Sequence, residues 1–79
     1  STLRELAERV KRSGSHVVEG HFRRHDFSRW IADQFGDSEL ANTVRALESE
    51  YGTNAIGEKA RDELAAVIDQ RYESDSERF

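Results

Sequence analysis

Cysteine, proline and methionine are all absent from the 79 residues, and glycine appears only five times. Without cysteine there is no disulfide, no thiolate metal site and no thiol nucleophile. That absence fits a reducing compartment, and the expectation is a soluble cytoplasmic protein. No apolar run approaches the ~20 residues of a membrane-spanning helix, and nothing near Ser1 has the form of a signal peptide, so no membrane partner is expected. Because Ser1 is not methionine, the chain is expected to be processed or to be part of a longer one. Its length allows one domain at most, hiding only roughly 60% of the surface of the unfolded chain. Such a domain has little interior to give to a deep substrate pocket.

With no proline to break helices, boundaries fall to glycine and to small polar caps. Thr2-Leu3-Arg4-Glu5 has capping-box spacing, and Leu3, Leu6, Ala7 and Val10 repeat on one face until Ser13-Gly14. Ser15 can cap a short second helix carrying Val17, Val18, His21 and Phe22, in which Gly20 is expected to permit close packing. Asp26 reads as the cap of a third helix with Phe27, Trp30, Ile31 and Phe35 inward and Gly36 at its end. Asp37 caps a fourth, with Leu40, Ala41, Val44 and Leu47 inward and Tyr51-Gly52 at its end. Thr53 opens the longest helix, with Ile56, Ala60, Leu64, Val67, Ile68 and Tyr72 in register. Nothing alternates as a half-buried strand would. The predicted fold is all-α: a compact bundle of about five short helices over residues 1–73, with 74–79 as a frayed acidic tail.

Charge is unevenly spread along the chain. Residues 1–31 hold seven basic against four acidic side chains, while residues 32–79 hold five against twelve, within a net charge of −4. The two halves are expected to attract one another, or the basic half to meet an acidic partner. Ten Arg against two Lys suggests a GC-rich genome as readily as guanidinium chemistry.

The densest basic cluster, two of the three His and the sole Trp all fall between His21 and Ile31. His21 and His25 stand four apart, a spacing that suits a metal, yet the turn before Asp26 interrupts the helix that would align them. A structural hydrogen bond for His21 at the bundle edge is the preferred reading, with no metal and no cofactor; a proton-linked switch is the lesser one. Trp30, with Phe22, Phe27 and Phe35, is read as core, its indole N–H directed to Asp26 or to a backbone carbonyl. Arg23, Arg24 and Arg29 make the best exposed patch, and Tyr72 with the last helix is expected to add apolar area.

Two function classes are disfavoured by these residues. Ala32 and Gly36 have helix-turn-helix spacing, but Asn42 stands where a buried branched residue is needed, and Asp37 and Glu39 open the would-be recognition helix. No Ser-His-Asp order, phosphate loop or apolar carboxylate pair marks an enzyme, and Ser28 has no oxyanion-forming glycines beside it.

The run Glu19-x-His21-Phe22-x-Arg24-x-Asp26-Phe27-x-Arg29-Trp30-Ile31, followed by Gly36-Asp37-x-x-Leu40-Ala41, resembles a family of small all-helical domains of unknown function. Its members occur in archaea and bacteria, alone or attached to larger proteins such as sugar-phosphate synthases. The likeness covers residues 15–48; where the family pattern carries Gly in the turn before Asp26, this chain has His25. The resemblance implies a helical fold and brings no activity, cofactor or catalytic residue. The expectation is therefore a non-catalytic protein-interaction or assembly module that meets a protein partner or a second copy through Arg23, Arg24, Arg29 and Tyr72. The alternative is an anion- or nucleic-acid-binding domain using the basic N-terminal half.

Overall fold

A computed structural model describes residues 2–51 and 57–76, the latter with side chains through Glu73. Five helices follow one another: α1 (Leu3–Arg12), α2 (Ser15–Arg23), α3 (Asp26–Phe35), α4 (Ser38–Tyr51) and α5 (Gly57–Ser76). Among the described residues there is no strand, and the fold is the expected all-α bundle. The expected cap at Thr53 and the inward Ile56 lie outside the described residues. So do residues 77–79 of the predicted tail, whereas α5 itself runs on to Ser76.

Helix ends follow local chemistry at three of the predicted points. Thr2 Oγ1 accepts the Glu5 N–H at 3.2 Å, and Asp37 Oδ1 accepts the Leu40 N–H at 3.0 Å, so each occupies a backbone donor that a helix start leaves free. Gly36 closes α3 at φ 63°, a left-handed conformation in which a β-carbon would be strained. Ser15 differs from expectation: it is the first residue of α2, and Gly14 stands at the cap without a side-chain bond.

One buried cluster draws on every helix. It comprises Ala7 and Val10 of α1, Val18 and Phe22 of α2, Phe27 and Ile31 of α3, Leu40, Ala41, Val44 and Tyr51 of α4, and Ala60, Leu64, Ala65 and Ile68 of α5. Leu3, Leu6, Phe35, Leu47 and Val67 pack at its margin. The long α5, about 30 Å at 1.5 Å per residue, lies chiefly along α1 and also meets α2 and α4, while α3 packs mainly on α4. Polar ties fix these pairings. Lys11 reaches Asp69 at 2.8 Å, and Arg61 donates to the Ser13 carbonyl just past α1 at 3.4 Å. Arg71 grips Asp37 with two donors at 2.8 and 3.2 Å, so the residue that caps α4 also anchors α5. The buried Tyr51 hydroxyl bonds the Glu63 carboxylate, which with burial pushes its pKa up to about 12.

One inward assignment, that of Trp30, is corrected. Val17 is 53% exposed and Trp30 is 41% exposed. Successive helical residues turn by about 100°, so Phe27, Ile31 and Phe35 sweep only about 80° and centre on Ile31. Trp30 then lies about 100° from Ile31, past the edge of what α4 covers. Val17 lies about 100° from Val18 and past the edge of the α2 stripe in the same way.

Gly20 is a further correction. A β-carbon there would meet only the Arg24 guanidinium, at 3.6 Å, an ordinary van der Waals distance. Among the described residues, no other helix approaches closely enough to require glycine. We therefore expect Gly20→Ala to stabilise the chain by up to about 1 kcal/mol, and Gly36→Ala to destabilise it by about 1–2 kcal/mol. Urea unfolding followed by circular dichroism checks both; equal effects of the two substitutions would contradict the assignment.

Candidate functional site at the α2–α3 turn

The turn between α2 and α3 is built around His25, the one non-glycine residue with positive φ (56°) among the described residues. His25, not Asp26, stands at the cap of α3, and its own side chain makes no capping bond. The free N–H of Ser28 is instead taken by Glu48 Oε2 at 3.2 Å, from α4 and twenty residues away. Glu48 is fully buried; its other oxygen lies 3.1 Å from His25 Nδ1. Since a carboxylate only accepts, Nδ1 carries the proton and donates. A negative charge at a helix start is also favoured by the helix dipole. Ser28 is buried too, its hydroxyl donating to the His25 carbonyl at 3.2 Å, which directs it inward and away from any chemistry at the surface.

Asp26 is consequently released from capping and does something else. It is 6% exposed and gathers three donors: His21 Nδ1 at 2.7 Å, Arg24 Nε at 3.1 Å, and Arg29 Nη2. The His21 bond above all, joined by those of Arg29 and Arg24 and working against the effect of burial, lowers its pKa from 3.8 to about 2. The carboxylate is thus ionised at neutral pH, so His21 Nδ1 must be protonated toward it. Arg24 Nη2, at 3.3 Å from that same nitrogen, finds no lone pair there to donate to. Arg29 also donates to the Arg24 carbonyl at the end of α2, at 3.3 Å, placing a cation where that helix dipole is negative.

Above this polar cluster an aromatic series runs from surface to interior. Trp30 meets His21 at 4.9 Å and Phe27 at 5.5 Å between ring centroids, and His21 meets Phe27 at 5.4 Å. Phe27 then meets Phe22 at 5.7 Å, and Phe22 meets Tyr51 at 6.5 Å. Apart from the tilted last pair these are edge contacts, the arrangement that ring quadrupoles favour. The indole is therefore braced although it stands in solvent, and its N–H is not received by Asp26, whose oxygens the imidazole and guanidiniums occupy.

The predicted site residues separate. Arg24 and Arg29 come together on Asp26, with side chains 61% and 63% exposed. Their partner is local, and among the described residues ion pairs across the two halves of the chain include Lys11–Asp69 and His25–Glu48. Arg23 is exposed one residue before Arg24. Tyr72 is half-buried on α5, with no hydrogen bond or ion pair to these arginines. The apolar strip expected on α5 is not there among the described residues, where the exposed large apolar side chains are Val17 and Trp30. His21 and His25 face different carboxylates, and no group of three or more potential metal ligands occurs among the described residues. A shallow groove between α4 and α5, lined by Glu39, Leu40, Thr43, Val67, Gln70 and Arg71, contains none of the predicted site residues.

Sequence reasoning missed Glu48, because a buried acid on α4 gives no local sign of the helix start it serves. It missed Trp30 as a surface residue because i+3 spacing fits both the centre and the edge of a stripe. No protein-family model, curated protein or solved structure matches this chain.

Because the Asp26 pKa is depressed, its contribution to stability is complete above pH 4 and is lost as pH falls through about 2. Asp26→Asn should lower stability at pH 7 and have little effect at pH 2, as read from thermal unfolding across that range. Equal loss at both ends would exclude the charge cluster as the cause. Glu48→Ala strands a buried N–H and should be less stable by about 1–3 kcal/mol, with Glu48→Gln milder because its amide oxygen can still accept.

Proposed function

We propose that this domain is a non-catalytic protein-interaction or assembly module, working through the α2–α3 face. The observation that carries the reading is the 41% exposed Trp30, packed edge-on against His21 and Phe27 beside two arginines paired with Asp26. Tryptophan and arginine are the side chains that most often dominate binding energy at protein interfaces. A side chain already fixed before binding loses less entropy when a partner arrives. A large ring left in water also forgoes the gain of burial that a chain this small needs.

The same geometry weakens the anion- and nucleic-acid-binding alternative. Asp26 occupies the position between Arg24 and Arg29 that a phosphate would take, so the chain supplies its own anion. Kinship with the small helical domain family is part of the proposal and rests on residues 15–48, including a left-handed residue where the family pattern has glycine. A cytoplasmic setting is likewise proposed, on the absence of cysteine. Among the described residues, no helix is long and apolar enough to cross a membrane.

A photo-reactive amino acid at position 17, introduced in the native host, tests the reading. It should yield a discrete cross-linked protein, and that adduct should vanish when Trp30→Ala is added while circular dichroism stays unchanged. The purified partner should then bind the domain directly. Absence of an adduct, or an adduct indifferent to Trp30, would refute the module.

A further inference from the structure

His21 has only one of its ring nitrogens committed. Nδ1 donates to Asp26 Oδ2 at 2.7 Å, and Nε2 has no hydrogen-bond partner among the described residues. No buried side-chain nitrogen among them lacks a partner, so Nε2 reaches water; the His21 side chain is 25% exposed. A second proton can therefore arrive at Nε2 without breaking the bond to Asp26. Imidazole is the side chain that ordinarily takes up a proton between about pH 5 and 8. The Asp26 carboxylate, its pKa lowered to about 2, stays ionised throughout that range.

The charges around the ring decide what that proton does. Arg24 Nε shares the same Asp26 oxygen at 3.1 Å, and Arg24 Nη2 already stands 3.3 Å from His21 Nδ1. Arg29 holds the other Asp26 oxygen. Within α2, Glu19 lies 3.8 Å from His16. On the helices packed against α2, Glu48 is turned to His25 and Ser28, and Glu63 to Tyr51. Among the described residues no side chain of α1, α4 or α5 offers His21 a hydrogen bond or an ion pair. An imidazolium there would thus face one carboxylate and two guanidiniums.

Like charges this close repel, and the less firmly held one gives way. Arg24 is that one. Its long side chain is 61% exposed, whereas His21 is packed against Trp30 and Phe27 at 4.9 and 5.4 Å between ring centroids. The geometry points to His21 as a proton-operated latch: uptake of a proton at Nε2 sets a positive charge against the Trp30 indole and releases Arg24 from Asp26. Arg29 stays, because its oxygen is the one His21 does not use. With the proton bound, the face carries one more positive charge and a loose guanidinium; without it, the ring is neutral and Arg24 is held. This gives the face proposed above for a partner a regulator, and rests on that reading only for the use made of the change.

Three histidines and a single tryptophan make the test direct. His16, with its side chain 99% exposed, serves as a reference, and His25 is bonded to a different acid, Glu48. The full chain is titrated from pH 8 to pH 5 while nitrogen NMR follows the histidine rings and the Arg24 Nε–H, and fluorescence follows Trp30. His21 should keep its Nδ1 proton and gain one at Nε2. Along the same curve the Arg24 Nε–H signal should shift and exchange faster with water. Trp30 should lose emission along that curve too, since a protonated imidazole in contact quenches indole fluorescence. His21→Gln, whose amide can still donate to Asp26, should lose both responses, and His25→Gln should retain them. The unaltered protein gives all three curves by itself, so an unfolded variant would not leave the outcome open.

A His21 ring that gains no proton above pH 5, or one that does so while Arg24 and Trp30 stay unchanged, would overturn the proposal. So would an Arg24 or Trp30 response that follows His16 or His25 instead. None of these readouts needs a partner. Their failure leaves the interaction reading standing, and a missing cross-linked adduct leaves the titration standing.

Discussion

A carboxylate withdrawn from water has to be met by donors, and Asp26 draws all of its own from His21, Arg24 and Arg29. This arrangement organises the surface of the molecule. It fixes an imidazole that in turn supports Trp30, and it holds two long cationic side chains whose free rotation would otherwise blur their positions. Two of these donors stand at the end of α2 and the third in the first turns of α3, so the corner between those helices and the exposed face on it are one construction.

A second carboxylate makes the first one available. Glu48 reaches from α4 to the start of α3, taking the Ser28 N–H and the His25 imidazole. Had α3 been capped by Asp26 in the usual way, that side chain would have been turned to its own backbone. Its donors would then have lacked an anion. The left-handed conformation at His25 is what lets the chain turn sharply enough to separate the two roles. Two histidines four residues apart consequently look in different directions, each orienting its ring by a different acid.

Burial is divided along the same lines. The core is supplied by short and branched side chains on all five helices, with Phe22, Phe27 and Tyr51 as its large members. Trp30 adds area at the rim of that core, where one edge of the indole is braced by rings and the other meets solvent. For a domain this small, leaving such a side chain half uncovered is a substantial concession of hydrophobic stabilisation. Under the proposed interaction, use by a partner gives that concession a physical reason.

The amino-acid order alone determined the helices, because periodicity, capping and the glycine requirement at a left-handed C-terminus act over a few residues. Thr2, Gly36 and Asp37 do in the fold what their neighbours imply, and so do the buried stripes of α1 and α4. The patch formed by Arg24 and Arg29 could also be read from the chain, although their shared bond to Asp26 could not. Tertiary structure decided which edge of each stripe is covered, which acid caps which helix, and which carboxylate the arginines hold. The capping of α3 depends on where α4 lies against it, a relation between residues twenty positions apart that no local pattern encodes. Trp30 shows the difference most directly: its spacing fits both the centre and the margin of a stripe, and only the packing of neighbouring helices left it on a margin open to water.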